Sequence, residues 1–144
     1  MNREFTIFYT DDDPDDVDFF KEAAMSIESS FKIFTQKSGM VLLKLLESTS
    51  IKPDILFLDL NMPGITGFEV LQKIRNSKNF KTLPVIIFST SNDKKTIEKS
   101  FDLGASFYIT KPNDFVSLKN SIAYTMNINW DTFIPKKDNF VYSN

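Results

Sequence analysis

Apolar residues recur along the chain in two alternating patterns, short continuous runs and longer segments with helical spacing. The runs are rich in β-branched and aromatic residues. Residues 55–58 are apolar at every position, which is typical of a strand buried on both faces of a sheet. The longer segments repeat apolar residues at intervals of three and four, as an amphipathic helix does. These patterns predict five strands that alternate with five helices.

The boundaries of these elements follow from capping and turn residues. The predicted strands are residues 5–10, 31–35, 55–58, 85–89 and 106–110. The first helix is predicted to have Asp13 as its N-cap and Pro14 at its first position, and Asp15 and Asp16 suit the positive end of its dipole. The other helices are predicted to begin at Ser38, at Thr66 or Gly67, at Asn92 or Asp93, and at Asn113 or Asp114.

Strict alternation of strands and helices favours right-handed crossover connections and a parallel sheet. The chain is therefore predicted to be an α/β protein with a single doubly wound five-stranded parallel sheet of order 2-1-3-4-5, flanked by five helices. A length of 144 residues suits one domain.

The composition excludes several kinds of chemistry. The chain has no cysteine and no histidine, which excludes disulfides, thiol nucleophiles, Ser-His-Asp catalysis and the usual zinc sites. Its formal net charge of −2 gives no reason to expect nucleic acid or an anionic membrane as a partner. The sequence shows neither an apolar signal region nor an apolar run long enough to cross a bilayer. We therefore expect a cytoplasmic protein without membrane insertion.

Polar residues follow four of the predicted strands. In a doubly wound sheet of this order, the carboxyl ends of strands one and three meet at the topological switch point, where ligands bind. Three carboxylates would converge there, and they need a cation to offset their repulsion and desolvation. Hard oxygen ligands favour Mg²⁺. The residues at the four strand ends are Asp11 with Asp12, Asp59, Ser89 with Thr90, and Lys111.

The acidic residues at the first strand end have two alternative interpretations. Asp11 and Asp12 are compatible with an ordinary solvated turn before a helix, and that alternative stays open when the pair is considered alone. The spacing of Asp11, Asp13 and Asp15 with Glu22 also mimics a calcium-binding loop. The calcium loop fails, because its sixth position requires a glycine and is occupied by Asp16.

Taken together, these residues resemble the receiver domain of two-component response regulators, in its stand-alone CheY-like form with a flavodoxin-like fold. The resemblance covers residues 5 to about 126. Four features match in order and spacing: the pair Asp11-Asp12, the loop of residues 59–63 with Gly67, the hydroxyl of Ser89, and the pair Lys111-Pro112.

The resemblance implies a role for each acidic residue. Asp59 would be the acceptor of a phosphoryl group. Asp12 and Asp59 would bind Mg²⁺ directly together with the backbone carbonyl of Asn61, whereas Asp11 would act through water. The donor would be a separate phosphohistidine protein, a sensor histidine kinase or phosphotransfer protein, and no turnover of a separate substrate is expected.

The resemblance also implies how the phosphoryl group is held and sensed. Ser89 would donate a hydrogen bond to it, Lys111 would pair with it, and the Lys111–Pro112 bond would be cis. Tyr108 would be a switch whose ring moves when Ser89 moves, the alternative being an ordinary half-buried strand aromatic. Asn61 and Ser91 would border the path of the attacking water and tune the lifetime of the phosphoryl group.

The signal would leave through a protein–protein surface to a downstream protein target. By the resemblance this surface is formed by helix four, strand five and helix five. Its members would be Lys94, Lys95, Lys99, Tyr108 and Lys119.

Two other functions compete with this one. A haloacid-dehalogenase-like phosphatase also forms an aspartyl phosphate, but its nucleophile lies on the first strand and a second Asp follows two residues later, where Asn61 stands here. A pseudo-receiver that never takes a phosphoryl group would lack at least one site residue, and none is missing.

The end of the chain extends beyond the family pattern. We expect a receiver domain over residues 1–126 and a C-terminal extension over residues 127–144. Apolar spacing continues to Trp130 and Phe133 before Pro135, which predicts that helix five reaches about Phe133 and contributes to a homodimer. The alternative is a tail folded back on its own domain. The spacing of Phe140 and Tyr142 fits a short edge-added strand as well as a disordered end.

Overall fold

The computed structural model describes residues 5–48 and 51–143, and over these the strands and helices alternate as predicted. The predicted boundaries agree with the observed ones to within a few residues, except at the last helix. The elements are β1 (Thr6–Thr10), α1 (Pro14–Ile27), β2 (Lys32–Gln36), α2 (Gly39–Ser48), β3 (Ile55–Leu58), α3 (Gly67–Arg75), β4 (Val85–Ser89), α4 (Lys94–Asp102), β5 (Phe107–Thr110) and α5 (Phe115–Met126).

The five strands form one parallel sheet of order β2-β1-β3-β4-β5, which confirms the predicted fold class. Every residue of β3 and β4 is buried, as expected of central strands covered on both faces. The strand order places β1 beside β3, so the residues that follow these two strands lie next to each other at one edge of the sheet.

Alternate residues of the strands supply two separate hydrophobic cores, one on each face of the sheet. Phe8, Leu56 and Ile87 belong to the first core, with side chains of α2 and α3. Tyr9 and Phe57 belong to the second, with side chains of α1 and α5. The sheet is thereby clamped between two helical layers, which fixes the positions of its strand ends.

Side-chain caps begin the helices that follow these strands. The Asp13 carboxylate accepts a hydrogen bond from the backbone of Asp15 at 2.9 Å, with Pro14 as the first helical residue. Thr66 and Glu69 form a reciprocal capping box at the start of α3. Asp93 and Asp114 cap α4 and α5. Short capped connections of this kind hold the loops at the sheet edge in defined positions.

The prediction that helix five extends to Phe133 is wrong. Helix α5 ends at Met126 with Asn127 as its C-cap. Trp130 turns back, and its indole N–H donates to the carbonyl of Thr125 at 3.2 Å. The rings of Trp130 and Phe133 each lie 6.2 Å from that of Phe107. The poor helix propensity of Asn127 and Asn129 therefore ends the helix, although apolar spacing continues. The aromatic residues are buried against their own domain instead of on a longer helix.

The last described residues form an edge addition to β5, as their spacing suggested. The backbone N–H of Tyr108 donates to the Phe140 carbonyl at 2.9 Å, and that of Tyr142 donates to the Tyr108 carbonyl at 2.8 Å. Val141 pairs with Tyr108 in a parallel bridge. Tyr108 is fully buried beneath this segment, and its place on the partner surface stays a prediction.

The predicted homodimer is not tested by a single chain and stays a prediction. The aromatic side chains that were expected to support it pack within the chain. The division into residues 1–126 and 127–144 also stays a prediction, and residues 1–4 and 144 lie outside the described part. Within the described part, we find no helix with the length and apolar character needed to cross a membrane.

Candidate functional site

Asp59 is a buried carboxylate at the end of β3. It is 5% exposed, and its backbone N–H donates to the Thr10 carbonyl of β1 at 3.0 Å. Burial raises the pKa of Asp59 to about 6, the charge of Lys111 opposes the rise, and the charge of Asp11 adds to it. A carboxylate with a raised pKa in such a position is a candidate for function with a stated physical cause.

The end of β1 supplies Asp11 and Asp12, which differ in environment. Asp11 is 2% exposed, and its carboxylate accepts hydrogen bonds from the Tyr9 hydroxyl and, at 3.0 Å, from the Asp13 backbone N–H. The Asp12 side chain is exposed. Asp11 is therefore fixed by the protein, whereas Asp12 faces solvent.

Asp11, Asp12 and Asp59 form one cluster. Each offers a carboxylate oxygen, and these oxygens all lie within 4.8 Å of one another. Three hard oxygen donors at such separations suit a divalent cation that prefers oxygen ligands. Burial and, to a smaller extent, the charges of Asp11 and Asp12 raise the pKa of Asp59, and a bound cation would offset both effects. The donor set thus fits the predicted metal site.

Lys111 follows β5 and brings the positive charge to the cluster. Its ammonium nitrogen lies 2.8 Å from an Asp11 oxygen, 2.9 Å from an Asp16 oxygen and 3.6 Å from an Asp59 oxygen. Burial lowers the pKa of Lys111, but the hydrogen bonds to Asp11 and Asp16 and the charge of Asp59 outweigh it, and the pKa is raised. Lys111 is charged at neutral pH.

The peptide bond between Lys111 and Pro112 is trans, since the described residues contain no cis peptide bond. The expected cis bond is therefore wrong for this chain. A trans bond is the lower-energy form for residue–proline peptides by about 0.5–1 kcal/mol, and with it the lysine reaches all three carboxylates.

Ser89, Ser91 and Tyr108 form a hydrogen-bonded group beside the cluster, at the ends of β4 and β5. Ser89 is fully buried, and its hydroxyl oxygen accepts from the Ser91 backbone N–H at 3.2 Å. The Tyr108 hydroxyl donates to the Ser91 carbonyl at 2.6 Å. Asn61 is exposed on the loop after β3, and its backbone makes a hydrogen bond to Asp59 that lowers the pKa of Asp59.

The structure adds two residues to the site that the sequence did not point to. The sequence pattern places Asp16 at the start of a helix and not in the site, yet its carboxylate accepts a hydrogen bond from Lys111. Tyr9 was assigned only to a strand, yet it binds Asp11; burial and the neighbouring carboxylate raise its pKa. Tyr9 lies two residues before Asp11 and therefore on the same face of the strand. Asp16 lies in the first helical turn directly after the site.

The family model named "Response regulator receiver domain" matches residues 7–123, which include every residue of this strand-end cluster. The chain belongs to the response regulator receiver domain family. The match covers all five strands of this receiver domain except the first residue of β1, and the greater part of α5. It confirms the resemblance inferred from the strand-end residues.

Curated relatives resemble this receiver domain over part of their own length. The chain is 30% identical over 132 residues to a probable cyclic di-GMP phosphodiesterase of Vibrio cholerae, covering 85% of the chain and 29% of the relative. It is 36% identical over 78 residues to the two-component response regulator ARR3 of Arabidopsis thaliana, covering 54% of the chain and 34% of the relative. The chain thus corresponds to less than two thirds of either relative.

Solved structures match the receiver domain over most of their length. The phosphorylated cyanobacterial phytochrome response regulator RcpA has a TM-score of 0.79 at 28% identity, with 92% of this chain and 98% of that chain covered. The Mn²⁺-bound form of response regulator Rcp1 has a TM-score of 0.78 at 22% identity, with 92% and 99% covered. At that identity, the likeness to Rcp1 shows the fold alone.

Proposed function

We propose that this receiver domain accepts a phosphoryl group on Asp59 from a separate phosphohistidine protein. The observation that carries the proposal is the position of Asp59: a buried carboxylate with a raised pKa, in one cluster with Asp11 and Asp12 and 3.6 Å from the ammonium of Lys111. Family membership and the phosphorylated state of the relative RcpA support it.

The chemistry is a transfer between two nucleophiles. A carboxylate oxygen of Asp59 attacks the phosphorus, the bond from phosphorus to the donor histidine nitrogen breaks, and that nitrogen keeps the electron pair. Asp59 needs no base, because at neutral pH a carboxyl of pKa about 6 is mostly ionised. Catalysis is then a matter of positioning and of neutralising charge.

The proposed metal is Mg²⁺, held directly by Asp12, Asp59 and the Asn61 carbonyl, with Asp11 acting through water. Asp11 already accepts hydrogen bonds from Lys111 and Tyr9, whereas Asp12 is exposed. This difference supports direct binding by Asp12 and water-mediated binding by Asp11. When bound, the ion would neutralise charge on Asp59 and on the phosphoryl oxygens.

We propose that Lys111 and Ser89 contact the phosphoryl group and that Tyr108 reports its presence. Ser91 links Ser89 to Tyr108: its backbone N–H donates to the Ser89 hydroxyl oxygen, and its carbonyl accepts from the Tyr108 hydroxyl. A movement of Ser89 toward the phosphoryl group would alter the loop to which the Tyr108 hydroxyl is attached. Asn61 and Ser91 remain the proposed determinants of phosphoryl lifetime.

The proposed output is binding of a downstream protein. The lysines of α4 are exposed. The edge of β5 is covered by the segment that contains Phe140 and Tyr142, so a partner would contact that segment rather than β5 itself. The phosphatase alternative is not favoured, since the acceptor follows β3 and Asn61 stands in the place of the acid.

The test is phosphorylation by acetyl phosphate with Mg²⁺, followed by intact mass measurement. The wild type should gain one phosphoryl group that is stable in acid and labile in base. Asp59→Asn should gain none, because an amide is not a nucleophile at neutral pH. The exposed Asp102→Asn serves as control and should label like the wild type. Undiminished labelling of Asp59→Asn would refute the assignment.

A further inference from the structure

Three carboxylates surround the Lys111 ammonium, but they do not share it equally. The nitrogen lies at hydrogen-bond distance from Asp11, 2.8 Å, and from Asp16, 2.9 Å. The 3.6 Å to Asp59 exceeds the length of a hydrogen bond and leaves an ion pair only. The lysine is therefore hydrogen-bonded to Asp11 after β1 and to Asp16 in α1, and only ion-paired with the proposed acceptor.

The two hydrogen bonds differ in what it costs to break them. The Asp11 side chain is 1% exposed, and leaving a buried carboxylate unpaired is costly. The Asp16 side chain is 36% exposed, so water can solvate it once the lysine leaves. Fully exposed ion pairs are worth about 0–1 kcal/mol, and the exposure of Asp16 brings its pair with Lys111 closer to that range than the pair with Asp11. The bond to Asp16 is the one that the lysine can give up.

Asp16 also has a defined anchor. It stands in the first turn of α1, where the Asp13 cap accepts from its backbone N–H at 3.4 Å. The helix is packed against the second core through Phe20, Ala23 and Ala24. The Asp16 carboxylate therefore holds Lys111 from a fixed point on the domain.

We infer that Asp16 is a positioning residue that tethers Lys111 away from Asp59 until a phosphoryl group competes for it. The inference rests on the proposed function and adds a regulator to that site. Asp11 and Asp16 take two of the three ammonium donors, and they hold the nitrogen 3.6 Å from Asp59, so a closer approach of Lys111 to a phosphoryl group there competes with its bond to Asp16. Asp16 thus opposes phosphorylation, although it neither binds the phosphoryl group nor belongs to the carboxylate cluster that fits the cation.

The first test compares Asp16→Asn with Asp15→Asn. Both remove one negative charge from the same helical turn, and Asp15 is exposed. Asp16→Asn should raise the rate of labelling by acetyl phosphate and lower the half-saturating beryllofluoride concentration, both about two- to five-fold, which corresponds to about 0.4–1 kcal/mol. Asp15→Asn should leave both within about 1.5-fold of wild type, and Asp16→Glu, which keeps the charge, should fall between. Equal effects of the two Asn variants, or weaker beryllofluoride binding by Asp16→Asn, would overturn the inference.

The second test observes the lysine itself and does not require phosphorylation. In lysine-selective nitrogen NMR without Mg²⁺ or beryllofluoride, the Lys111 ammonium signal should shift and exchange its protons faster in Asp16→Asn. It should match wild type in Asp15→Asn. An unchanged Lys111 signal in Asp16→Asn would show that no tether exists. If the signal changes but wild type takes up neither phosphoryl nor beryllofluoride, the tether stands and the proposed function fails.

Discussion

The residue that dominates the electrostatics of the site is Asp59. The unfolded chain ionises this carboxyl near its ordinary pKa of 3.8, whereas the folded chain does so only near 6. Folding therefore favours the protonated form. The stability that this group contributes is fully present below about pH 4 and is lost as the pH rises through about 6. At neutral pH the metal-free domain carries an unfavourable buried charge.

We predict that Asp59→Asn stabilises the metal-free protein at pH 7.5. A shift of this size corresponds to about 2–3 kcal/mol. Urea unfolding in the presence of a chelator should show that gain, and the gain should shrink to near zero at about pH 3, below both pKa values, where Asp59 is mostly protonated in the folded and the unfolded chain. A variant that is no more stable than wild type at pH 7.5 would contradict the account of the buried charge.

At this scale, sequence patterns identified the residues that end strands but not the partners that reach them from elsewhere. Asp59, Asp11 and Lys111 could be predicted to meet because parallel strands bring their carboxyl ends together. The contact of Asp16 with Lys111 depends on the angle at which α1 leaves the sheet. That angle is set by packing of the whole helix and has no local signature.

At the scale of elements, the site depends on how closely α3 approaches β3. A Cβ atom on Gly67 would lie 2.4 Å from the Asp59 carbonyl oxygen and 2.7 Å from the Leu60 Cα. Both are backbone atoms and cannot move aside as a side chain can. Gly67 therefore lets the start of α3 rest directly on the segment that carries Asp59.

We predict that Gly67→Ala destabilises the domain by about 1–3 kcal/mol through overpacking and weakens beryllofluoride binding. Helix propensity alone predicts the opposite sign, a gain of up to about 1 kcal/mol. The comparison variant is Gly39→Ala at the start of α2, whose Cβ would meet side-chain methyl groups of Val70 and Ile65. It should lose stability without a change in beryllofluoride affinity. Retained affinity in Gly67→Ala would contradict the proposed contact.

The elements themselves were largely predictable because each has a local cause. Apolar runs gave the strands, and caps such as Asp13 and Asp114 gave the helix starts. The end of α5 was not predictable in this way. Apolar spacing continues past Met126, and the outcome depends on whether Trp130 finds a better surface on Phe107 than a longer helix would offer.

At the scale of the molecule, the C-terminal segment, residues 127–143, packs onto the hydrophobic cores of its own domain and does not project away from them. Phe140 is 2% exposed and belongs to the first core, where its ring lies 5.3 Å from that of Phe101. Trp130 and Phe133 pack against the second core. One segment therefore contacts both faces of the sheet and covers the edge of β5 between them.

This arrangement predicts that Phe140→Ala lowers the free energy of unfolding by about 3–5 kcal/mol, as for other buried phenylalanines. Ile134→Ala, in the same segment but 68% exposed, should change it by less than about 0.5 kcal/mol. Urea unfolding of both variants measures the difference. Equal, small effects would show that the segment does not pack on the domain in solution.

Truncation after Met126 tests the same segment against the predicted dimer. If the segment packs on its own domain, the truncated chain should be less stable than the full chain. Both chains should then sediment as monomers. If the segment packs on a second copy of the chain, the full chain should sediment as a dimer and the truncated chain as a stable monomer. The contacts of Phe140 and Tyr142 with Tyr108 in one chain favour the first outcome, because a dimer through this segment would have to break or exchange them.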